Sequence, residues 1–234
     1  MTSLTDHPIN SRWPATNPDV IQLYSFPTPN GVKVSIALEE MGLPYEVHRV
    51  TLSAADVKSP EFLALNPNNK IPAIIDPNGP DGAPLELWES GAILIYLAEK
   101  SGKLLGTTAA QKYEIIKWVM FQMGGLGPML GQLGYFSKYA GSEIEDPRPK
   151  ERFVVEAKRL LAVLEKHLSD RVWMVGEEYS IADIAIAPWL AALDFYGTQE
   201  AVGWHDLTHL PAYLDRFNTR DAVKVGRVTP PREV

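Results

Sequence analysis

The sequence predicts an α/β domain followed by an all-α domain, and three observations carry that prediction. From Ile21 to Lys100, short apolar or alternating runs interleave with segments of helical period. After Lys100 the strand signals stop and each longer apolar pattern is helical. The chain has 234 residues, 45% of them hydrophobic, enough for two packed cores.

Residues 1–20 hold Pro8, Pro14 and Pro18 among polar side chains and read as an extended arm. Trp13 stands out there, because an indole seeks a packing partner. It docks on the body of the protein or on a partner subunit, unless the arm is a mobile tail. Ile21-Gln22-Leu23-Tyr24-Ser25-Phe26 reads as a strand, and Gly31 to Met41 as a helix with Val34, Ala37 and Leu38 on one face, stopped by Gly42-Leu43-Pro44. Tyr45 to Val50 alternates as a second strand, and Pro60-Glu61-Phe62-Leu63 begins a short helix. Ala73-Ile74-Ile75 and Leu85-Glu86-Leu87 flank a turn rich in Gly, Pro, Asp and Asn, a hairpin signal. Ser90 to Glu99 is a helix. The order βαβ then αββα implies a parallel crossover and helices covering one sheet, a thioredoxin-like layer over residues 21–100.

Residues 101–108 read as a linker and 109–234 as the all-helical domain. Helices are expected over Gln111 to about Met123, over Arg152 to Leu168, and from about Ala182 and Pro211. Ser180-Ile181-Ala182-Asp183 has capping-box spacing, and Tyr179 and Ile184 sit where a hydrophobic staple would close. Asp183 is therefore read as structural. Gly125-Leu126-Gly127-Pro128-Met129-Leu130-Gly131 lacks the spacing and the preceding strand of a dinucleotide fingerprint, and reads as a helix kink. His205 and His209 are four apart with no third ligand in view, which argues against a metal site.

The net charge of −7 argues against nucleic acid or an anionic membrane as partner. Cysteine is absent, so disulfides, thiolate metal sites and a cysteine nucleophile are excluded. Residues 1–19 have no apolar signal core, and the longest apolar stretch, Ile184 to Leu193, is well short of the about 20 residues of a membrane span. A cytoplasmic location is the expectation.

Three segments carry chemistry. Pro27-Thr28-Pro29-Asn30-Gly31 leads from the first strand into the first helix, where backbone N–H groups and the positive dipole end favour an anion such as a thiolate. Thr28 adds a hydroxyl and Asn30 an amide; a plain turn and cap would use the same residues. Ile71-Pro72 before a strand is a candidate cis bond, leaving the main chain of Ile71 to pair with an extended peptide. Glu89-Ser90 opens a helix, where Ser90 and N–H groups hold a carboxylate and Glu89 an ammonium, the two charges of a free amino-acid end; the alternative is simple capping.

Strand–helix–strand, Lys70-Ile71-Pro72, Glu89-Ser90-Gly91 and Ser180-Ile181-Ala182-Asp183 in a helical second domain resemble a cytosolic glutathione transferase over about Ile21 to Val228. Thr28-Pro29-Asn30-Gly31, Asn66-Pro67-Asn68-Asn69-Lys70-Ile71-Pro72 and Gly124-Gly125-Leu126-Gly127-Pro128-Met129-Leu130-Gly131-Gln132 are similar to the nu class within it.

The resemblance implies a glutathione transferase fold and glutathione as co-substrate, one or two molecules per active site or their disulfide. Glu89 and Ser90 would hold the γ-glutamyl end, Ile71 the cysteinyl backbone, Lys70 a carboxylate, and Thr28 and Asn30 the sulfur. Arg152, in Lys150-Glu151-Arg152-Phe153, matches an arginine for the second glutathione. Tyr24 precedes the position where commoner classes place a hydroxyl, and is expected to pack in the sheet. The activity implied is disulfide-bond reduction by a homodimer acting on a small-molecule disulfide or electrophile. Transfer to electrophiles, thiolytic ether cleavage, or a non-catalytic glutathione-binding regulatory module are the other readings.

Overall fold

Four short strands form one mixed sheet in the computed structural model, which describes residues 4–139, 141 and 143–233. They are β1 (Ile21–Ser25), β2 (Tyr45–Arg49), β3 (Ala73–Asp76) and β4 (Leu85–Trp88), in the order β2-β1-β3-β4. β1 and β2 run parallel, joined through helix α1 (Gly31–Met41). β3 runs antiparallel to both β1 and β4, with Tyr24 and Trp88 each opposite Ala73. Between β2 and β3 lie two short helices, α2 (Ala54–Val57) and α3 (Pro60–Leu65). Helix α4 (Ser90–Ser101) follows β4 directly. Ile21, Leu23, Ile74 and Ile75 are buried in this sheet, each contributing roughly 1.5–3 kcal/mol of hydrophobic stabilisation. Helix α1 stops at Gly42, whose φ of +68° suits glycine, while the Leu43 N–H bonds Leu38 O at 3.1 Å.

The remaining helices are α5 (Ala109–Phe121), α6 (Gly127–Gly134), α7 (Arg148–His167), α8 (Ile181–Phe195), α9 (Gln199–Val202), α10 (His209–Thr219) and α11 (Asp221–Gly226). Contacts divide the chain into two units: residues up to Lys103 together with those from Asp221 on, and Leu104–Arg220. This corrects the expected helical domain over 109–234, since α11 belongs to the first unit. Val223 is buried there, and Gly226 lies so close to α1 that a Cβ would stand 2.6 Å from Ile36 Cα. Only glycine fits, and its carbonyl accepts a bond from Ser35 Oγ at 2.6 Å.

The arm also differs from its expected extended form. Leu4–Asp6 and Pro8–Ser11 are short 3-10 turns, and Leu4 and Ile9 join the core of the first unit beside Phe62 and Ile71. Trp13 docks on that same unit: its Nε1 donates to Arg49 O at 3.0 Å and its ring meets Phe62 edge-on. Apolar burial outweighs the turn-forming prolines.

In the second unit, the capping box at α8 forms as expected. Asp183 is fully buried and accepts bonds from Met174 N and Ser180 N, both at 2.9 Å, and from Tyr213 Oη at 3.1 Å. Burial nonetheless raises its carboxyl to about 6. The expected kink near Gly125 is instead a π-helical turn, Gln122–Leu126, that carries the helical path from α5 into α6. The wider turn accommodates Pro128, which has no N–H to donate. Among the described residues, no helix is long and apolar enough to cross a membrane.

Candidate functional site

The three candidate segments of the first unit meet at one edge of its sheet. β1 ends there at Ser25, β3 begins at Ala73, and β4 ends at Trp88 opposite Ala73. The chain leaving β1 toward Thr28, the chain entering β3 through Ile71-Pro72, and the chain leaving β4 at Glu89 are therefore neighbours by register. The Ile71–Pro72 bond is cis, as the sequence suggested. An open cleft of about 490 Å³ lies at this edge, and Thr28, Asn30, Lys70 and Ile71 all line it. Leu52, Ala54, Val57, Lys58 and Asn69 complete the lining.

Thr28 is placed by its own loop. Its Oγ1 accepts the Gly31 N–H at 3.1 Å, and its carbonyl accepts the Val32 N–H at 3.0 Å. Two N–H groups at the start of α1, expected to face a ligand, are thus engaged by Thr28. The hydroxyl hydrogen of Thr28 is left to donate, because the oxygen already acts as acceptor. Gly31 allows this turn, since a Cβ there would stand 1.9 Å from Phe26 O. Lys70 is positioned from behind: Asn66, almost fully buried, donates through Nδ2 to Lys70 O at 2.6 Å and accepts the Asn68 N–H at 2.9 Å.

Glu89 and Ser90 stand apart from the lining of that cleft but join it through a buried cation. Lys33 of α1 has no exposed surface, and its Nζ donates to Asn30 Oδ1 at 2.8 Å and to Ser90 Oγ at 3.2 Å. Burial draws its ammonium down to about 7, with the Glu89 carboxylate pulling it up. Glu89 itself is exposed and holds φ +75° and ψ 108°, a conformation that costs a non-glycine residue roughly 1–3 kcal/mol. Such strain at a helix start beside a cleft marks a residue held for its side chain or its carbonyl; the latter accepts the Ile93 N–H at 2.9 Å.

Sequence reasoning did not single out Lys33, Lys58 or Leu52, and held Asn69 only as part of the motif before Pro72. Lys58 and Lys70 make the cleft cationic in a chain of net charge −7, and no carboxylate lines it among the described residues. Nothing local betrays Lys58, which lies outside the motifs. Lys33 reads as a solvated helix charge until its surroundings are seen. Tyr24 lies in the sheet as expected, fully buried and stacked on His48 at 4.6 Å, and burial raises its phenol further from ionisation. Arg152 lies in the first turns of α7, exposed, in the second unit, where its charge helps to hold the Glu156 carboxyl below its ordinary value. It is not among the residues gathered at the cleft.

Two family models match the chain: the glutathione S-transferase N-terminal domain over residues 19–99 and its C-terminal domain over 147–216. The disulfide-bond oxidoreductase YfcG of Escherichia coli is 46% identical over 193 residues, covering 80% of this chain and 89% of its own. A glutathione transferase from Burkholderia graminis, solved with two glutathione molecules per subunit, matches with a TM-score of 0.95 at 58% identity, covering 99% of this chain and 98% of its own. One from Pseudomonas putida, solved with one glutathione disulfide per subunit, gives 0.95 at 56% identity, covering 98% and 100%.

Proposed function

The chain belongs to the glutathione S-transferase family, and on that premise we propose that it is a glutathione-dependent disulfide-bond reductase whose nucleophile is the thiolate of bound glutathione. One observation carries the reading: Thr28, Asn30, Lys70 and Ile71 share a single cationic cleft in a chain without cysteine. The names and ligands of the relatives support it, two glutathiones in one and the disulfide in another.

Glutathione lies along the cleft with its sulfur toward Thr28 and Asn30. A thiol of pKa about 8.5 is only about 3% ionised at pH 7. Lowering it by about two units requires about 2.7 kcal/mol of preferential stabilisation of the anion. The Thr28 hydroxyl and the Asn30 amide, each donating to the sulfur, and the dipole of α1 can supply that together. Ile71 pairs with the cysteinyl backbone, Lys70 meets a ligand carboxylate, and Glu89 and Ser90 take the γ-glutamyl ammonium and carboxylate. Arg152 faces a carboxylate of the second glutathione, and the enzyme acts as a cytoplasmic homodimer of the nu class.

The reaction then balances without covalent enzyme chemistry. The glutathione thiolate attacks one sulfur of the substrate disulfide, a new S–S bond forms, and the displaced thiolate takes up the proton that glutathione released. The second glutathione, ionised in turn, attacks the glutathionyl sulfur of the mixed disulfide. Glutathione disulfide and the second substrate thiol leave; two glutathiones are oxidised and one disulfide is reduced.

A coupled assay with glutathione and a small organic disulfide tests this, run on wild type and on Thr28→Ala/Asn30→Ala. Turnover in the wild type with at least a hundredfold loss in the folded double variant is expected. Full activity in the double variant would refute the role of these two residues. Tight glutathione binding without any wild-type turnover would favour the regulatory module instead.

A further inference from the structure

Lys33 is the least expected residue of the first unit. An ammonium is seldom sealed from solvent unless its donors are used. Here the side chain runs inside the unit from α1 and ends between Asn30, on the lip of the cleft, and Ser90, at the head of α4. These two residues are assigned above to opposite ends of one ligand. Lysine donates and never accepts while charged, so each contact dictates the polarity of its partner.

We propose that Lys33 is a positioning residue that sets the donor direction of Asn30 and Ser90 together, turning both toward glutathione. An amide whose oxygen faces Lys33 has its Nδ2 directed the other way, as a donor for sulfur. A hydroxyl whose oxygen accepts from Lys33 sends its hydrogen elsewhere, as a donor for the γ-glutamyl carboxylate. Without Lys33, Asn30 could turn its oxygen toward the thiolate and repel it, and Ser90 could spend its hydrogen on a neighbouring carbonyl. The inference does not require Lys33 to touch the ligand. It rests on the glutathione reading, and deepens it by naming what orients the site.

Lys33→Met keeps the length and removes the donors. Calorimetry with glutathione and titration of the bound thiol by its thiolate absorbance are the two readouts. The expected result is about tenfold weaker binding and a bound-thiol pKa higher by about one unit. In an Asn30→Ala/Ser90→Ala background, Lys33→Met should add no further loss. Unchanged affinity and unchanged thiol ionisation in folded Lys33→Met, whatever its melting temperature, would overturn the inference, as would a full additional loss in the double background. Should Lys33→Met not fold, nitrogen-labelled asparagine in the wild type decides: the Asn30 side-chain amide must shift on adding glutathione, and an unmoved resonance overturns the inference. A wild type that does not bind glutathione at all would instead refute the function on which this rests.

Discussion

Arg12 bonds Asp56 at 2.5 Å across 44 residues, tying the arm to helix α2, two of whose residues, Ala54 and Val57, line the cleft. Asp56 also accepts the Thr51 N–H at 2.8 Å, and these donors hold its carboxyl below its ordinary value. The exposed ion pair alone contributes at most about 1 kcal/mol. Trp13 contributes more, through its bond to Arg49 O and its packing on Phe62. Trp13→Ala should therefore destabilise the protein by about 2–4 kcal/mol, and Arg12→Ala by less than about 1 kcal/mol. Chemical denaturation measures both; an inert Trp13→Ala would mean that the docked indole contributes nothing to the fold.

Glu89→Ala and Ser90→Ala should each weaken glutathione binding tenfold or more, since a charged hydrogen bond contributes roughly 1.5–3 kcal/mol. These contacts lie far from the reacting sulfur and hold ground and transition states alike, so turnover at saturating glutathione should change little. Calorimetry and saturation kinetics check the two halves. Unchanged affinity would remove the pair from the site.

Arg152→Ala should impair use of glutathione disulfide more than binding of the first glutathione. The expected loss of affinity for the disulfide is about tenfold. Competition between the disulfide and glutathione, measured on wild type and variant, reads the difference. Equal small effects on both would leave Arg152 a surface charge.

Acid should destabilise the fold above the pH range where ordinary carboxylates titrate. Burial lowers the pKa of His7, His48 and His167 from 6.5, against the Glu86 carboxylate at His7 and the Glu46 carboxylate at His48. Between the folded values and 6.5, the unfolded chain binds more protons, so stability falls as pH falls through that window. Asp183, raised to about 6, acts oppositely between that value and 3.8, one group against three. Melting temperatures should therefore decline from about pH 7 to about pH 5.5. A flat or rising profile would show these histidines are not buried neutral.

Most of the first unit was legible because its signals are local. Alternation in Tyr45 to Val50, the Gly42-Leu43-Pro44 stop and Pro72 each act within a few residues, and in the second unit the Ser180–Asp183 box likewise spans four. The site was legible only in part. Thr28, Asn30, Lys70 and Ile71 meet because strand ends meet, and a sequence carrying the strands carries that edge. Lys33 was not legible: its neighbours Gly31, Val32 and Val34 say nothing of the α4 serine that accepts its hydrogen bond. The same holds for α11, whose contact with Ser35 spans 191 residues. Trp13 left docking and a mobile tail both open in the sequence, and the choice of Phe62 as its bed depended on tertiary packing.

The seating of Gly226 against Ile36 has a temporal meaning. A chain leaves the ribosome from its N-terminus, and domains generally form in that order. Here the sheet and α1 emerge before the helical unit, yet the helix that covers Ile36 is made only after all of α5 to α10. Throughout that interval the face of α1 around Val34 to Ile36 lacks its native cover, an apolar surface awaiting one glycine. The helical unit, by contrast, is continuous in sequence and can close while the older unit is still incomplete. The unit that begins before the helical one is thus completed after it.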